Sequence, residues 1–256
     1  EYPFVREKIE GSRLHTICQS GACPNMGECW MAGTATFMVL GNICTRSCRF
    51  CAVTTGRPLP PDPDEPRRVA ESIRDMGLRH AVITSVDRDD LPDGGAAVWA
   101  EVIRTVRKVS PGTTVEVLVP DFKGVEKDIR TVVEASPDII SHNMETVERL
   151  SRQVRVQARY DRSLEVLKTM KRLGARRTKS GIMLGLGETE DEILATLSDL
   201  RSADVDIVTI GQYLRPTKEH LPVSEYVTPE KFEFYRQQGL RMGFRIVQSA
   251  PLVRSS

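Results

Sequence analysis

The stretch Thr36-Phe37-Met38-Val39-Leu40-Gly41-Asn42-Ile43-Cys44-Thr45-Arg46-Ser47-Cys48-Arg49-Phe50-Cys51 decides how the rest of the chain is read. Its first half is β-branched, aromatic and apolar, which predicts a strand over residues 36–40. Its second half carries three thiols spaced C-x3-C-x2-C, on the loop that leaves the strand's C-terminal end. Three thiolates within eight residues can converge on one metal centre. Three is one short of the ligand set of a closed zinc site or a standard Fe–S cluster. A cubane held by three ligands leaves one iron open to a substrate or cofactor. A zinc knuckle is the alternative reading of the spacing.

Working outward, the same strand-then-loop unit recurs. Further strands are predicted over 81–85, 114–119, 138–141, 180–184 and 207–210, and a weaker one over 245–248. Between them, apolar residues at helical spacing predict helices over 66–77, 97–109, 129–135, 163–173, 191–203 and 229–242. Gly77, Gly174 and Gly243 follow helix ends, and Pro66 and Pro229 suit first-turn positions. Residues 57–65 are proline-rich and read as an extended connector. Six or seven β–α repeats imply parallel strands joined by helical crossovers, an α/β barrel of which part is present. We divide the chain into an N-terminal extension over 1–35, a partial barrel over 36–248 and a tail over 249–256.

The remaining cysteines sharpen the picture. All six lie between Cys18 and Cys51, and the 205 residues after Cys51 contain none. A disulfide framework spreads its bridges over a small secreted domain. Thiols confined to one end of a mid-sized chain point instead to metal binding in a reducing compartment. The first three, Cys18, Cys23 and Cys29, are spaced C-x4-C-x5-C, unusual for zinc. A second cluster there needs a fourth ligand, and no cysteine is left to give it. Lys and Arg total 36 against 35 Asp and Glu, a net charge of +1, which argues against a general nucleic-acid binder. No apolar run approaches the ~20 residues that span a bilayer, so no membrane partner is expected. No signal peptide is visible.

In a parallel barrel the chemistry collects on loops after the strands' C-terminal ends. Those loops supply the other candidates. Asp87 opens the charged run Asp87-Arg88-Asp89-Asp90, which either binds ribose hydroxyls or forms an internal salt network. His142 and Asn143 end a strand, and Glu145 reads as a helix N-terminal acid. Glu188 closes Gly185-Leu186-Gly187-Glu188, either beside a ligand or as the acid that caps a turn. Arg215 could grip a carboxylate through two parallel hydrogen bonds or form a surface ion pair. Lys179 sits one residue before a predicted strand, toward the inactive face.

The C-x3-C-x2-C loop, with Phe50 just before its last cysteine, resembles the signature of the radical S-adenosylmethionine superfamily. Within it, the chain is similar to the lipoyl synthase family. Leu14-His15-Thr16-Ile17-Cys18, Cys23-Pro24-Asn25, Ser85-Val86-Asp87-Arg88-Asp89-Asp90-Leu91, His142-Asn143, Gln212-Tyr213-Leu214 and Arg254-Ser255-Ser256 carry the likeness. It runs from Arg13 to Ser256.

The resemblance implies two 4Fe–4S clusters and S-adenosylmethionine as cofactors. Cys44, Cys48 and Cys51 would hold the cluster that cleaves S-adenosylmethionine to a 5′-deoxyadenosyl radical. By their place on the strand-end loops, Asp87, His142, Asn143, Glu188 and Arg215 are expected toward that cofactor. Cys18, Cys23 and Cys29 would hold an auxiliary cluster, with a serine of an Arg-Ser-Ser-Tyr motif as fourth ligand. Here the last residue is Ser256. Neighbouring residues of an extended segment point oppositely, so one of Ser255 and Ser256 reaches the iron, with Ser256 preferred. The implied reaction inserts two sulfur atoms, at C6 and C8, into an octanoyl group on a lipoyl carrier domain, consuming the auxiliary cluster.

Implied partners are a glycine-cleavage H protein or a 2-oxoacid dehydrogenase acyltransferase subunit, and an electron donor such as flavodoxin or ferredoxin. The implied location is the cytoplasm, or an organelle in a eukaryote. Competing readings are a methylthiotransferase or biotin-synthase-like enzyme, and a zinc or electron-carrier module.

Overall fold

A computed structural model describes residues 34–254, together with His15, Thr16 and Asn25. Cys18, Cys23, Cys29, Ser255 and Ser256 lie outside the described residues. The chain divides into two compact units, with Ser47–Ala52 belonging to the second and Val53–Ile139 to the first.

In chain order the first unit contains β1 (His15–Thr16), β2 (Thr34–Val39), β3 (Ile43–Cys44), β4 (Thr54–Thr55), α1 (Glu65–Asp75), β5 (His80–Ser85), α2 (Ala96–Val109), β6 (Thr114–Leu118) and α3 (Glu126–Glu134). Strands β2, β5 and β6 are parallel neighbours in that order, with Phe37 opposite Ile83 and Ile83 opposite Val117. Strand β1 pairs antiparallel with β2, and β3 with β4 makes a small separate pair. Helix α2 presents Trp99, Val102, Ile103 and Val106 on one stripe, all fully buried. Val69 and Ile73 of α1, and Ile129 and Val132 of α3, complete that layer. Each such side chain contributes about 1.5–3 kcal/mol on leaving water. Pro66 stands in the first turn of α1, where its missing N–H costs nothing.

Strand β7 (Ile139–Ser141) begins on the last residue of the first unit, and the second unit continues with α4 (Glu148–Arg155), α5 (Tyr160–Arg172), β8 (Thr178–Leu184), α6 (Glu190–Ser202), β9 (Ile207–Gln212), α7 (Pro229–Arg241) and β10 (Ile246–Ser249). Its strands are all parallel in the order β7-β8-β9-β10. Helix α5 packs on β8, and α7 on β9 and β10. Helix α6 starts with a reciprocal capping box between Thr189 and Glu192.

The predicted strands are all present, and the helices sit within a few residues of expectation. Three differences have physical causes. Helix α4 was not expected, because Leu150 and Val154 are the only apolar residues of its buried face, beside Ser151 and Arg155. Lys179 lies inside β8 and is buried, since the strand begins at Thr178 despite its polar start. Glu145 precedes α4 instead of entering its first turn: its backbone has φ 65° and bridges to Ile182 of β8.

Candidate cofactor and metal-cluster site

In the first unit, the loops after β2, β5 and β6 meet at the strands' C-terminal edge around one guanidinium. Arg46 follows Cys44 by two residues and is buried. Its Nε and Nη2 donate to the two oxygens of Asp89, at 2.7 and 2.9 Å. Nη2 also donates to Asp121 Oδ1 at 2.7 Å, and Nε lies 3.5 Å from Asp87 Oδ1. Burial alone would lower this group's pKa, but the carboxylates of Asp89, Asp87 and Asp121 outweigh it and keep the charge in place. Thr45 binds the Asp87 carbonyl through its backbone N–H at 3.0 Å and its hydroxyl at 2.9 Å, and accepts from the Asp89 N–H at 3.0 Å.

Arg88 points the other way. It donates to the carbonyls of Leu40 and Leu59 and is paired with Asp90. With Arg46 paired to Asp89 and Arg88 to Asp90, the charged run after β5 takes part in an internal salt network. The Leu40 turn is tight: a Cβ on Gly95 would stand 2.5 Å from Leu40 Cδ1, and Gly95 has φ 89°. Glycine alone meets both conditions.

Cys44 is a free, half-buried thiol. Its sulfur accepts from the Asp87 N–H at 3.2 Å and the Arg46 N–H at 3.4 Å. Burial and then the Asp87 carboxylate push this thiol's pKa up, while the two backbone N–H groups and Arg46 oppose them. Backbone N–H groups aimed at a sulfur stabilise it as a thiolate, and the same donors tune a cluster's sulfur ligands.

In the second unit, Cys48 and Cys51 are likewise half-buried. The end of α4 anchors the first of them. The Arg49 N–H donates to the Val154 carbonyl at 2.9 Å, and Cys48 Sγ lies 3.7 Å from the Arg155 carbonyl. The loop after β9 anchors the second. His220 Nε2 lies 3.0 Å from the Cys51 carbonyl, and the Leu221 N–H donates to the Arg49 carbonyl at 3.2 Å.

The other candidates of this unit gather at the C-terminal edge of its sheet. His142, just past β7, is buried with Nε2 2.8 Å from Ser163 Oγ, which also accepts from Arg155 Nη2 at 2.8 Å. Asn143 is buried and its side chain bonds the Glu145 carboxyl. Burial pushes that carboxyl up, against Arg155 and Asn143.

Glu188 turns back on its own loop, accepting from the Gly185 N–H and, at 2.9 Å, the Leu186 N–H. Its carboxylate thus caps the turn. Arg215 donates to the His220 carbonyl at 2.8 Å and to the Lys218 carbonyl. The tail crosses β9 here: the Gln212 N–H donates to the Pro251 carbonyl at 3.2 Å, and Gly211 leaves room for the Val253 carbonyl.

Cys44 fits a thiolate ligand of a cluster, since its sulfur is already supplied with two backbone N–H donors. Among the described residues no three Cys, His, Asp or Glu side chains converge as the shell of a single ion would. Sequence reasoning missed Arg46, Ser163, Arg155 and His220. Arg46 had a signal, a cation between Cys44 and Cys48 with aspartates after the next strands. His220 had none, being 169 positions from the carbonyl it meets.

The profile of the radical SAM superfamily matches residues 38–200. The lipoyl synthase of Flavobacterium johnsoniae is 62% identical over 256 residues, covering 100% of this chain and 89% of the relative. That of Parabacteroides distasonis is 63% identical, covering 100% and 91%. The chain belongs to the lipoyl synthase family. A mitochondrial lipoyl synthase from Nematostella vectensis is 59% identical, covering 100% and 88%.

Solved structures show the same fold at low identity. Methylornithine synthase aligns with TM-score 0.62 at 15% identity, covering 87% of this chain and 73% of its own. Streptococcus suis SuiB bound to S-adenosylmethionine aligns at 0.67 and 11%, covering 84% and 50%. The expected α/β partial barrel of the radical SAM type is thereby established. As a family member the chain is a radical S-adenosylmethionine enzyme whose activity is lipoyl synthesis. A 4Fe–4S cluster and S-adenosylmethionine are its cofactors, and an octanoylated carrier protein is its substrate. Among the described residues no helix is long and apolar enough to cross a membrane.

Proposed function

We propose that the chain inserts sulfur at C6 and C8 of a protein-bound octanoyl group, with Cys44, Cys48 and Cys51 holding one 4Fe–4S cluster and Cys18, Cys23 and Cys29 a second. The observation that carries this reading is identity near 60% along the entire chain to curated lipoyl synthases. When bound, the first cluster supplies the electron that cleaves S-adenosylmethionine, and the second supplies sulfur.

The chain's own residues hold and orient. The backbone N–H groups of Arg46 and Asp87 keep Cys44 suited to binding iron as a thiolate. Arg46 ties three strand-end loops together, so Cys44 is presented from a rigid base. Asp87 acts from within that network. In the second unit His142 and Asn143 are the candidates set deepest at a strand end, and we assign them to the cofactor. Glu188 and Arg215 serve it by shaping the loops after β8 and β9.

The fourth auxiliary ligand is Ser256, or Ser255 in its place. It is supported by the course of the tail, whose last described residue, Arg254, lies 3.5 Å from the Gln212 carbonyl. We retain 1–35 as the extension for the auxiliary ligands, 36–248 as the barrel and 249–256 as the tail. A glycine-cleavage H protein or an acyltransferase subunit is the proposed carrier, flavodoxin or ferredoxin the donor, and the cytoplasm or an organelle the location.

The test is anaerobic reconstitution followed by reaction with an octanoyl-lysyl peptide. Two clusters per chain and a lipoyl-lysyl product are expected. A colourless protein with bound zinc, or a product bearing no sulfur, would reject the reading.

A further inference from the structure

The loop after β9 is more than a connection. It meets the cysteine loop at two backbone carbonyls, those of Arg49 and Cys51, through the Leu221 N–H at 3.2 Å and His220 Nε2 at 3.0 Å. Each contact is itself held. The Tyr213 hydroxyl donates to the Leu221 carbonyl at 2.8 Å. Arg215 donates to the carbonyls of His220 and Lys218. The His220 N–H donates to the Thr217 carbonyl at 3.1 Å.

The imidazole's protons follow from its neighbours. A carbonyl only accepts, so Nε2 carries the proton toward Cys51. Thr217 Oγ1 accepts from the Glu219 N–H at 3.2 Å, which leaves its own proton for His220 Nδ1, 2.8 Å away. A chain of donors thus runs from Glu219 through Thr217 and His220 to Cys51, with every position filled and no net charge needed.

We propose that residues 213–221 form a brace for the cluster loop, and that His220 is a positioning residue for Cys51. The proposal rests on the reading of Cys51 as a cluster ligand. A thiolate reaches iron through its Cα–Cβ bond, and the orientation of that bond is set by the peptide plane whose carbonyl His220 holds. Outer partners of metal ligands orient the ligand without touching the metal. The brace is also local. His220 is half-buried, and residues 214–219 are exposed, so altering them leaves no hole in the core.

The experiment uses the reconstituted holoenzyme as wild type and as the His220→Ala, His220→Gln, Thr217→Val and Cys51→Ala variants. Two readouts are taken. One is iron release to a chelator. The other is the electron paramagnetic resonance signal of the reduced cluster that changes on adding S-adenosylmethionine. His220→Ala should release the iron of that cluster about tenfold faster. His220→Gln, whose amide N–H can reach the same carbonyl, should stay within about twofold of wild type. Thr217→Val should fall between, because His220 keeps its ring but loses the bond that orients it. Circular dichroism should be the same for all.

Cys51→Ala separates the two claims. If it lacks the responsive signal while His220→Ala matches wild type, the brace is wrong and the ligand reading stands. If Cys51→Ala keeps the signal, the ligand reading itself fails. Equal loss in His220→Ala and His220→Gln would overturn the positioning role by showing that ring packing matters instead of the hydrogen bond.

Discussion

The two ends of one eight-residue cysteine loop are supported in opposite ways. Around Cys44 the support is ionic and buried: Arg46 is shared among Asp87, Asp89 and Asp121, and the Asp121 side chain is fully enclosed. Around Cys48 and Cys51 it is neutral, made of backbone carbonyls, backbone N–H groups and one imidazole. A buried charge network is intolerant, because removing one member strands the others without water. A neutral brace degrades by steps, since each bond is worth about 1 kcal/mol. The same loop therefore combines one end that fails completely with one that can be tuned.

The largest expected effects are the ligand replacements, which test whether the ends are equivalent in chemistry. Cys44→Ala and Cys51→Ala should each abolish 5′-deoxyadenosine formation, read by chromatography. Cys18→Ala, Cys23→Ala and Cys29→Ala should spare it and stop lipoyl formation. Loss of deoxyadenosine in Cys23→Ala, with the other cluster intact, would count against that division of labour.

Next comes the ionic end. Arg46→Met should lower stability by about 3–5 kcal/mol in denaturant unfolding, because Asp121 is left charged and enclosed. A loss below about 1 kcal/mol, the scale of an exposed pair, would erase the contrast.

Glu188→Gln probes a neutral turn that has one charged acceptor. Two backbone N–H groups lose a carboxylate and keep at most one carbonyl oxygen. A loss of about 1 kcal/mol is expected by the same unfolding measurement, and none at all would mean the turn holds without it.

The smallest effect is on acid sensitivity within the second unit. Burial raises the Asp206 carboxyl, but Lys171 at 2.6 Å and the Thr178 N–H at 2.9 Å outweigh it and leave the pKa lowered. A depressed folded pKa gives stability that is full above the unfolded value and lost as pH falls through the folded one. Asp206→Asn should flatten the acid side of the stability profile in thermal melts from neutral pH downward. A profile parallel to wild type would assign that slope to other carboxylates.

Legibility followed the range of the interaction. The strand ahead of the cysteines, the β–α rhythm and Gly77 at a helix end are local matters of residue type and spacing, and they were readable. Helix α4 was not, since two apolar residues four apart make too faint a period. Asp87, Glu188 and Arg215 were correctly put on the loops after strand ends. Which groups they engage was left open, because a carboxylate or guanidinium takes whichever partner the fold delivers.

The sequence by itself determined the class of the protein: parallel β–α units, two cysteine triplets and a family membership carried along the whole chain. Spacing encodes these, because periodicity and ligand separation are properties of neighbouring residues. The tertiary structure alone decided that Arg46 would sit among three aspartates from other loops. It alone brought His220 to the carbonyl of Cys51 across 169 positions. Such contacts are made by the strand order, which returns distant loops to one edge of a sheet, and no local pattern records them.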